Sequence, residues 1–180
     1  MKVKQIITDP PHLYLDMDGV QADFFTAWAN MSGKNRYKDI GDRAAREASI
    51  DDLNRRGADW VEDFFTNLRP LPGGQRLVAW LRQHQIPFTV LSAPLRGNAD
   101  ASIRGKITWL DRYNPGTSAA AIFTSEKERL AQHNGRPAVL VDDYKPYVQR
   151  WRDAGGHAIL YRDHQVDDVI DQLAEIYHTQ

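Results

Sequence analysis

Two pairs of carboxylates carry the chemistry this sequence can do. Asp16 and Asp18 sit in Leu13-Tyr14-Leu15-Asp16-Met17-Asp18-Gly19-Val20, and Asp142-Asp143 follow Ala138–Val141. Carboxylates packed together repel one another and need a cation. Oxygen donors with open coordination positions suit magnesium, which neutralises and orients a phosphate for in-line attack. One carboxylate can then act as nucleophile and form an acyl phosphate. A second, two residues on, can protonate the leaving oxygen and later deprotonate water. A hydroxyl, backbone amides and an ammonium are the groups that hold phosphoryl oxygens. Ser92-Ala93 and Lys127 offer them, with the backbone of Met17.

Taken singly, each piece is ordinary. Asp-x-Asp-Gly also occurs in turns and calcium loops, but a calcium loop wants a further ligand before its glycine. Asp142-Asp143 alone reads as a solvated turn, and Ser92 as a turn residue. Lys127 opens a charge-rich stretch expected to be helical, and Lys106 and Lys145 compete with it for the ammonium role. What binds these residues together is where they fall.

Five apolar runs read as strands: Leu13–Leu15, Phe88–Leu91, Ala120–Phe123, Ala138–Val141 and Ala158–Tyr161. Most lack polar alternation, as strands buried on both faces of a parallel sheet do. Helical spacing lies between them. Leu77, Trp80 and Leu81 share a face, as do Ile103, Ile107 and Leu110. The clearest helix runs through Val166, Val169, Ile170, Leu173, Ile176 and Tyr177. Strand and helix alternate from residue 75 onward, which predicts an α/β fold with a doubly wound, mostly parallel sheet. Ligand sites in such sheets form beyond the carboxyl ends of strands. Asp16, Ser92, Lys127 and Asp142 each follow a predicted strand, so they converge on one rim. Arg96 and Lys145 fall near that rim, either within reach of a substrate or on the surface.

Residues 21–72 break the alternation. Asp23–Asn30, Arg43–Glu47 and Asp51–Leu68 read as helical, and Arg69-Pro70-Leu71-Pro72-Gly73-Gly74 punctuates the end. The segment is read as a small helical cap inserted after the first strand, with residues 1–20 and 73–180 forming the α/β core. The charges from Asp39 to Arg56 read as a solvated helix face.

Composition narrows the function classes. The chain has 180 residues, 42% apolar, enough for one packed domain with a small insertion. It contains no cysteine, which excludes thiolate metal sites and cysteine nucleophiles and fits a cytoplasmic setting. Net charge is −1 with no basic stripe, which argues against stable nucleic-acid binding but not against a small anionic substrate. Met1–Pro11 shows no leader-like apolar stretch, and no apolar run is long enough to span a membrane. The six histidines show no ligand-like spacing. Oligomeric state is left open, a homodimer included.

The ordered set, Asp16-Met17-Asp18-Gly19-Val20, Leu91-Ser92, Lys127 and Val141-Asp142-Asp143, resembles the haloacid dehalogenase (HAD) superfamily of phosphohydrolases. The resemblance spans nearly the whole chain. It implies a HAD-like Rossmannoid core with a small helical cap, Asp16 as nucleophile and Asp18 as general acid/base. It implies magnesium held by Asp16, the Asp18 carbonyl and one carboxylate of Asp142-Asp143, with Ser92 and Lys127 on the phosphoryl group. Within the superfamily the chain looks most like the 5'(3')-deoxyribonucleotidases, through Asp16–Phe24, Phe64-Phe65, Leu68–Gly73, Ser92-Ala93-Pro94, and Lys106 with Trp109. That likeness implies a nucleoside monophosphate as substrate, its base stacked on Phe24 and on Phe64 or Phe65. Plain core packing is the competing reading of those three aromatics. Two departures stand out. Gln21 takes the place of a leucine, and the group's mid-cap tryptophan pair has no counterpart. Other readings are a non-nucleotide phosphate ester, a nucleic-acid 3'-phosphate, or a binding protein that has lost the reaction.

Overall fold

The computed structural model describes residues 9–178; the leader reading of the first eight residues lies outside them. Five strands form one parallel sheet: β1 (Leu13–Leu15), β2 (Phe88–Ser92), β3 (Ile122–Phe123), β6 (Val139–Asp142) and β7 (His157–Leu160). Their spatial order is β3-β2-β1-β6-β7. Tyr14 stands beside Thr89 on one side and Leu140 on the other, so β1 is central. All residues of β1 and β6 are buried, which is why Leu13–Leu15 and Val139–Val141 do not alternate with polar residues; Asp142, also buried, closes β6.

Two further strands, β4 (Gln132–His133) and β5 (Arg136–Pro137), form an antiparallel hairpin that the sequence reading missed. Its turn is Asn134-Gly135, with φ +51° and +74°. Asn-Gly is a strong short-range hairpin signal because both turn positions need positive φ. The polar, two-residue strands offered no apolar run to flag it.

The helices are α1 (Phe24–Met31), α2 (Arg43–Arg55), α3 (Ala58–Thr66), α4 (Pro72–Gln83), α5 (Ala99–Tyr113), α6 (Lys145–Asp153) and α7 (Val166–Tyr177). α4 and α7 cover one face of the sheet, where Leu77, Leu81, Val169 and Leu173 meet Leu13, Leu15, Val139 and Val141. On the opposite face α6 brings Val148 and Trp151 against Tyr14 and Leu140. A third cluster joins α1, α2, α3 and α5 to Met17 and Val90.

α3 packs tightly on α5. Gly105 makes that closeness possible, since a Cβ there would strike the Glu62 carbonyl. The buried face of α5 is Ala101, Ser102, Gly105, Lys106, Trp109 and Leu110, whereas Ile103 and Ile107 are only half-buried. The apolar periodicity therefore marked a neighbouring stripe, because the deepest one includes a glycine, a serine and a lysine.

Residues 21–72 contain three helices and a 3₁₀ turn, Tyr37–Ile40. The two ends of the segment are tied together. Asp23 N–H donates to Arg69 O at 2.8 Å, Leu71 N–H donates to Gln21 O at 2.8 Å, and Ala22 bridges Pro70. Gly57, φ +91°, separates α2 from α3, so the helical stretch expected from Asp51 to Leu68 is broken there. Asp42 caps α2 by accepting from Ala45 N–H.

Candidate active site

Strand order reverses between β1 and β6, and the crevice at their carboxyl ends holds the acidic residues. Asp16 follows β1 directly, its N–H still donating to Val141 O at 3.0 Å in continuation of the ladder. Asp142 is the last residue of β6. Carboxylate oxygens of Asp16, Asp142 and Asp143 all lie within 4.8 Å of one another. Gly19, at φ +78°, lets the loop after β1 pass close to this cluster; a Cβ there would collide with the Asp143 carboxylate and the Phe25 ring.

Lys127 reaches into the cluster from beyond β3. It does not open an α-helix, as expected from the sequence, but a four-residue 3₁₀ turn, Lys127–Leu130. Its ammonium is buried and pairs with Asp16 Oδ1 at 2.8 Å and Asp142 Oδ2 at 2.7 Å. Tyr144 N–H donates to the other Asp142 oxygen at 2.9 Å, and Met17 N–H to Asp16 Oδ1 at 2.8 Å.

Asp18 stands apart from that group. Its Oδ2 accepts from Lys106 Nζ at 2.7 Å, while Oδ1 is buried without a partner. Lys106, fully buried on α5, also donates to Ser92 Oγ at 2.9 Å and Ala93 O at 2.6 Å. All its donors are thus occupied. Lys106 was legible only as part of a family likeness and as a rival to Lys127; the structure gives the two lysines separate carboxylates. Lys145, the other rival, begins α6.

Electrostatics follow from crowding. Burial, then the neighbouring Asp16 and Asp142 charges, push the Asp143 carboxyl up to about 8. Asp142 is raised to about 6 by burial and by Asp16, with Lys127 opposing. Asp18 is raised by burial, with Lys106 opposing. Burial would lower Lys127, but Asp16 and Asp142 more than reverse this. Three carboxylates at this spacing, two of them unwilling to ionise without help, fit a hard divalent cation bound through oxygen. The Asp18 carboxylate is not part of the set.

Gln21, the departure noted in the sequence, is fully buried and satisfied. Its Nε2 donates to Asp16 O at 2.8 Å, and its Oε1 accepts from Asn114 Nδ2 at 2.8 Å. Asn114 in turn accepts from Arg82. A leucine at position 21 would leave Asn114 without that partner. This polar chain behind the lead aspartate gave no sequence signal, because its members lie 93 positions apart.

Of the three aromatics read as base-stacking, Phe24 and Phe65 are buried and stacked on each other, centroids 5.8 Å apart. Phe64 is half-buried and stacks on Trp60 at 5.4 Å. All three therefore take part in core packing. The ring that lies against Gly19 is Phe25, which the sequence reading passed over. It meets Tyr37 edge-on at 4.9 Å. A cleft of about 730 Å³ near the amino ends of β1, β6 and β7, lined by Arg136, Arg152 and His157, contains none of these residues. No helix among the described residues is long and apolar enough to cross a membrane.

No family model matches the chain, and no curated protein matches it. Solved structures do. A HAD hydrolase, family IA, variant 3, from Entamoeba histolytica superposes with a TM-score of 0.50 at 15% identity, over 85% of this chain and 84% of that one. A HAD family hydrolase from Deinococcus radiodurans, crystallised with bound phosphate and sodium, superposes with a TM-score of 0.50 at 14% identity, over 93% of this chain and 97% of that one. The fold is the HAD Rossmannoid α/β fold.

Proposed function

We propose that this chain is a magnesium-dependent phosphomonoesterase that carries the phosphoryl group on Asp16 and acts on nucleoside monophosphates. The observation that carries this reading is the meeting of Asp16, Asp142 and Asp143 within 4.8 Å at the sheet's switch point, with Asp18 held separately by Lys106. A Deinococcus radiodurans hydrolase of similar fold was crystallised with bound phosphate and sodium, an anion and a cation of the kind this reading calls for. Asp16 and the Asp142-Asp143 pair would hold magnesium, which when bound would supply positive charge to the phosphoryl oxygens.

The chain's own residues divide the remaining work. An Asp16 carboxylate oxygen attacks phosphorus, and the bond to the ester oxygen breaks. Asp18 gives that oxygen its proton. Because Lys106 occupies Oδ2, the proton is carried on Oδ1, the oxygen without a partner. Burial raises the Asp18 carboxyl, which favours the acid form the first step requires. In the second step Asp18 takes a proton from water, the water oxygen attacks phosphorus, and the bond to Asp16 breaks. Asp16 leaves as carboxylate and inorganic phosphate departs. Lys127, Ser92 and the backbone of Met17 and Ala93 hold the phosphoryl oxygens.

The nucleotide preference rests on the sequence likeness around Asp16–Phe24 and Phe64-Phe65, and on the Phe25 and Tyr37 rings beside the acidic loop. A panel of nucleoside and sugar monophosphates with magnesium tests it. Hydrolysis of nucleotides, abolished in Asp16→Asn, is the expected result. Turnover of sugar phosphates alone rejects the substrate class, and a fully active Asp16→Asn protein rejects the nucleophile.

A further inference from the structure

Beside the acidic cluster the helical segment and the core enclose a cleft of about 460 Å³. Trp28, Tyr37, Arg46 and Ile50 form one wall, and Arg96 and Tyr144 the other. Both core residues belong to loops that carry site residues. Tyr144 directly follows the Asp142-Asp143 pair and donates its N–H to Asp142. Arg96 lies four positions after Ser92. Phe25 connects the cleft to the nucleophile's loop, since its ring rests against Gly19 and meets Tyr37.

We infer that this cleft receives a second anionic group, phosphate or carboxylate, carried on the leaving portion of the substrate, so that esters whose alcohol bears a further anion, a nucleoside bisphosphate among them, are preferred over plain monophosphates. The inference rests on the phosphomonoesterase reading for the placement of the leaving group. Its own basis is the state of the arginines. Arg43, at the cleft's edge, is neutralised by Glu47 at 2.9 Å. Arg46 and Arg96 have no ion-pair partner among the described residues. The Arg46 guanidinium carbon sits over the Tyr37 ring, 4.5 Å from its centroid, with its Nε buried and unpartnered among the described residues. A buried N–H without an acceptor is costly, and a guanidinium fork fits a carboxylate or phosphate edge.

The opposite wall is fixed in place. Asn54, on the same helix as Arg46, donates to Arg96 O at 2.8 Å and accepts from Asn98 Nδ2. This ties the loop bearing Arg96 to α2. Trp28 is not a donor to the cleft, because its Nε1 is spent on Ser49 Oγ at 2.9 Å. The aromatic walls contribute a ring surface, and Tyr144 is exposed to 52%, unusual for a large hydrophobic residue among those described. The volume suits a small molecule. Arg46 thus departs from the solvated helix face read in the sequence.

The test measures binding in the Asp16→Asn protein, so that turnover does not intervene. A deoxynucleoside 5'-monophosphate is compared with its 3',5'-bisphosphate, and phenyl phosphate with 3-carboxyphenyl phosphate. The two pairs separate a phosphate from a carboxylate preference. The doubly anionic member of at least one pair is expected to bind ~10-fold tighter, as one charge-assisted contact allows. That gain falls to near unity in Arg46→Gln and in Arg96→Gln, the latter at an exposed position where folding is not at stake. Equal affinities within both pairs, failure of every compound to bind, or a gain that survives both substitutions overturns the proposal. Wild-type hydrolysis is read separately. A binding gain without turnover of any ester sinks the phosphomonoesterase reading and leaves the anion cleft standing; turnover without the gain does the reverse.

Discussion

Two lysines are buried within one crevice and make opposite uses of burial. Lys127 is shared between two carboxylates, Asp16 and Asp142, which belong to a three-carboxylate set. Lys106 meets one carboxylate, Asp18, and spends its other donors on a serine hydroxyl and a carbonyl. The first arrangement balances charge among groups that a cation is expected to rearrange. The second is closed, with every donor of Lys106 occupied, and it fixes one oxygen of Asp18 while leaving the other without a partner. Buried ion pairs are poor sources of net stability but costly to break from one side. The two lysines should therefore be separable by what restores each loss.

The largest effect is expected from Lys127→Met. Turnover should fall ~10³-fold, as for loss of a principal charge-stabilising donor. Metal-free stability should fall by ~3–5 kcal/mol, because Asp16 and Asp142 are left uncompensated. Magnesium should recover much of the stability and little of the rate, read by thermal melts and kcat. Full recovery of both would erase the distinction between the lysines.

Lys106→Met is expected to lose ~10²-fold in rate, and magnesium should not recover its stability. Lys106 opposes the rise of the Asp18 carboxyl, so its removal raises that group further. An acid that must be protonated then stays competent to higher pH, and the basic limb of kcat/KM moves upward. An unmoved limb would detach Lys106 from the proton on Asp18.

The acidic set should also declare itself through pH. The Asp143 carboxyl is raised from 3.8 to about 8 and Asp142 from 3.8 to about 6. Between those limits the folded state binds more protons than the unfolded one, so metal-free stability falls as pH rises from 4 toward 8. Magnesium should flatten that decline, and its binding near pH 7 should release protons in calorimetry across buffers of different ionisation enthalpy. A metal-independent melting profile would count against the cation site.

The smallest effect belongs to Gln21→Leu, which strands Asn114. A loss of ~1–3 kcal/mol is expected, with much of it returned by adding Asn114→Leu, since removing both partners costs less than removing one. Additive losses in the double variant would show that the pair is not coupled.

The sequence made the sheet readable where burial is complete. β1, β2, β6 and β7 fall within one residue of their apolar runs, because the middle of each strand is buried on both faces and only β2, at Thr89, carries a polar residue within its run. β3 is shorter than its run, as Ser118–Ala120 coils into a 3₁₀ turn. The rim was readable for the same reason: a polar residue at the end of an apolar run stands out. What stayed hidden were polar groups buried away from strand ends. Lys106 and Gln21 look like surface residues in sequence, and their partners are set by tertiary contact alone. Phe25 and Arg46 were obscured by helical spacing that describes a lone helix, whereas both sit where the helical segment meets the core.

The tied ends of residues 21–72 have an evolutionary consequence. Chain enters and leaves that segment through neighbouring backbone rungs, Asp23 to Arg69 and Leu71 to Gln21. Lengthening or shortening what lies between them leaves the spacing of that doorway, and hence the register of the central strand, unchanged. The helical segment can thus diversify by insertion and deletion, while Asp16, the proposed nucleophile, inherits a constant frame.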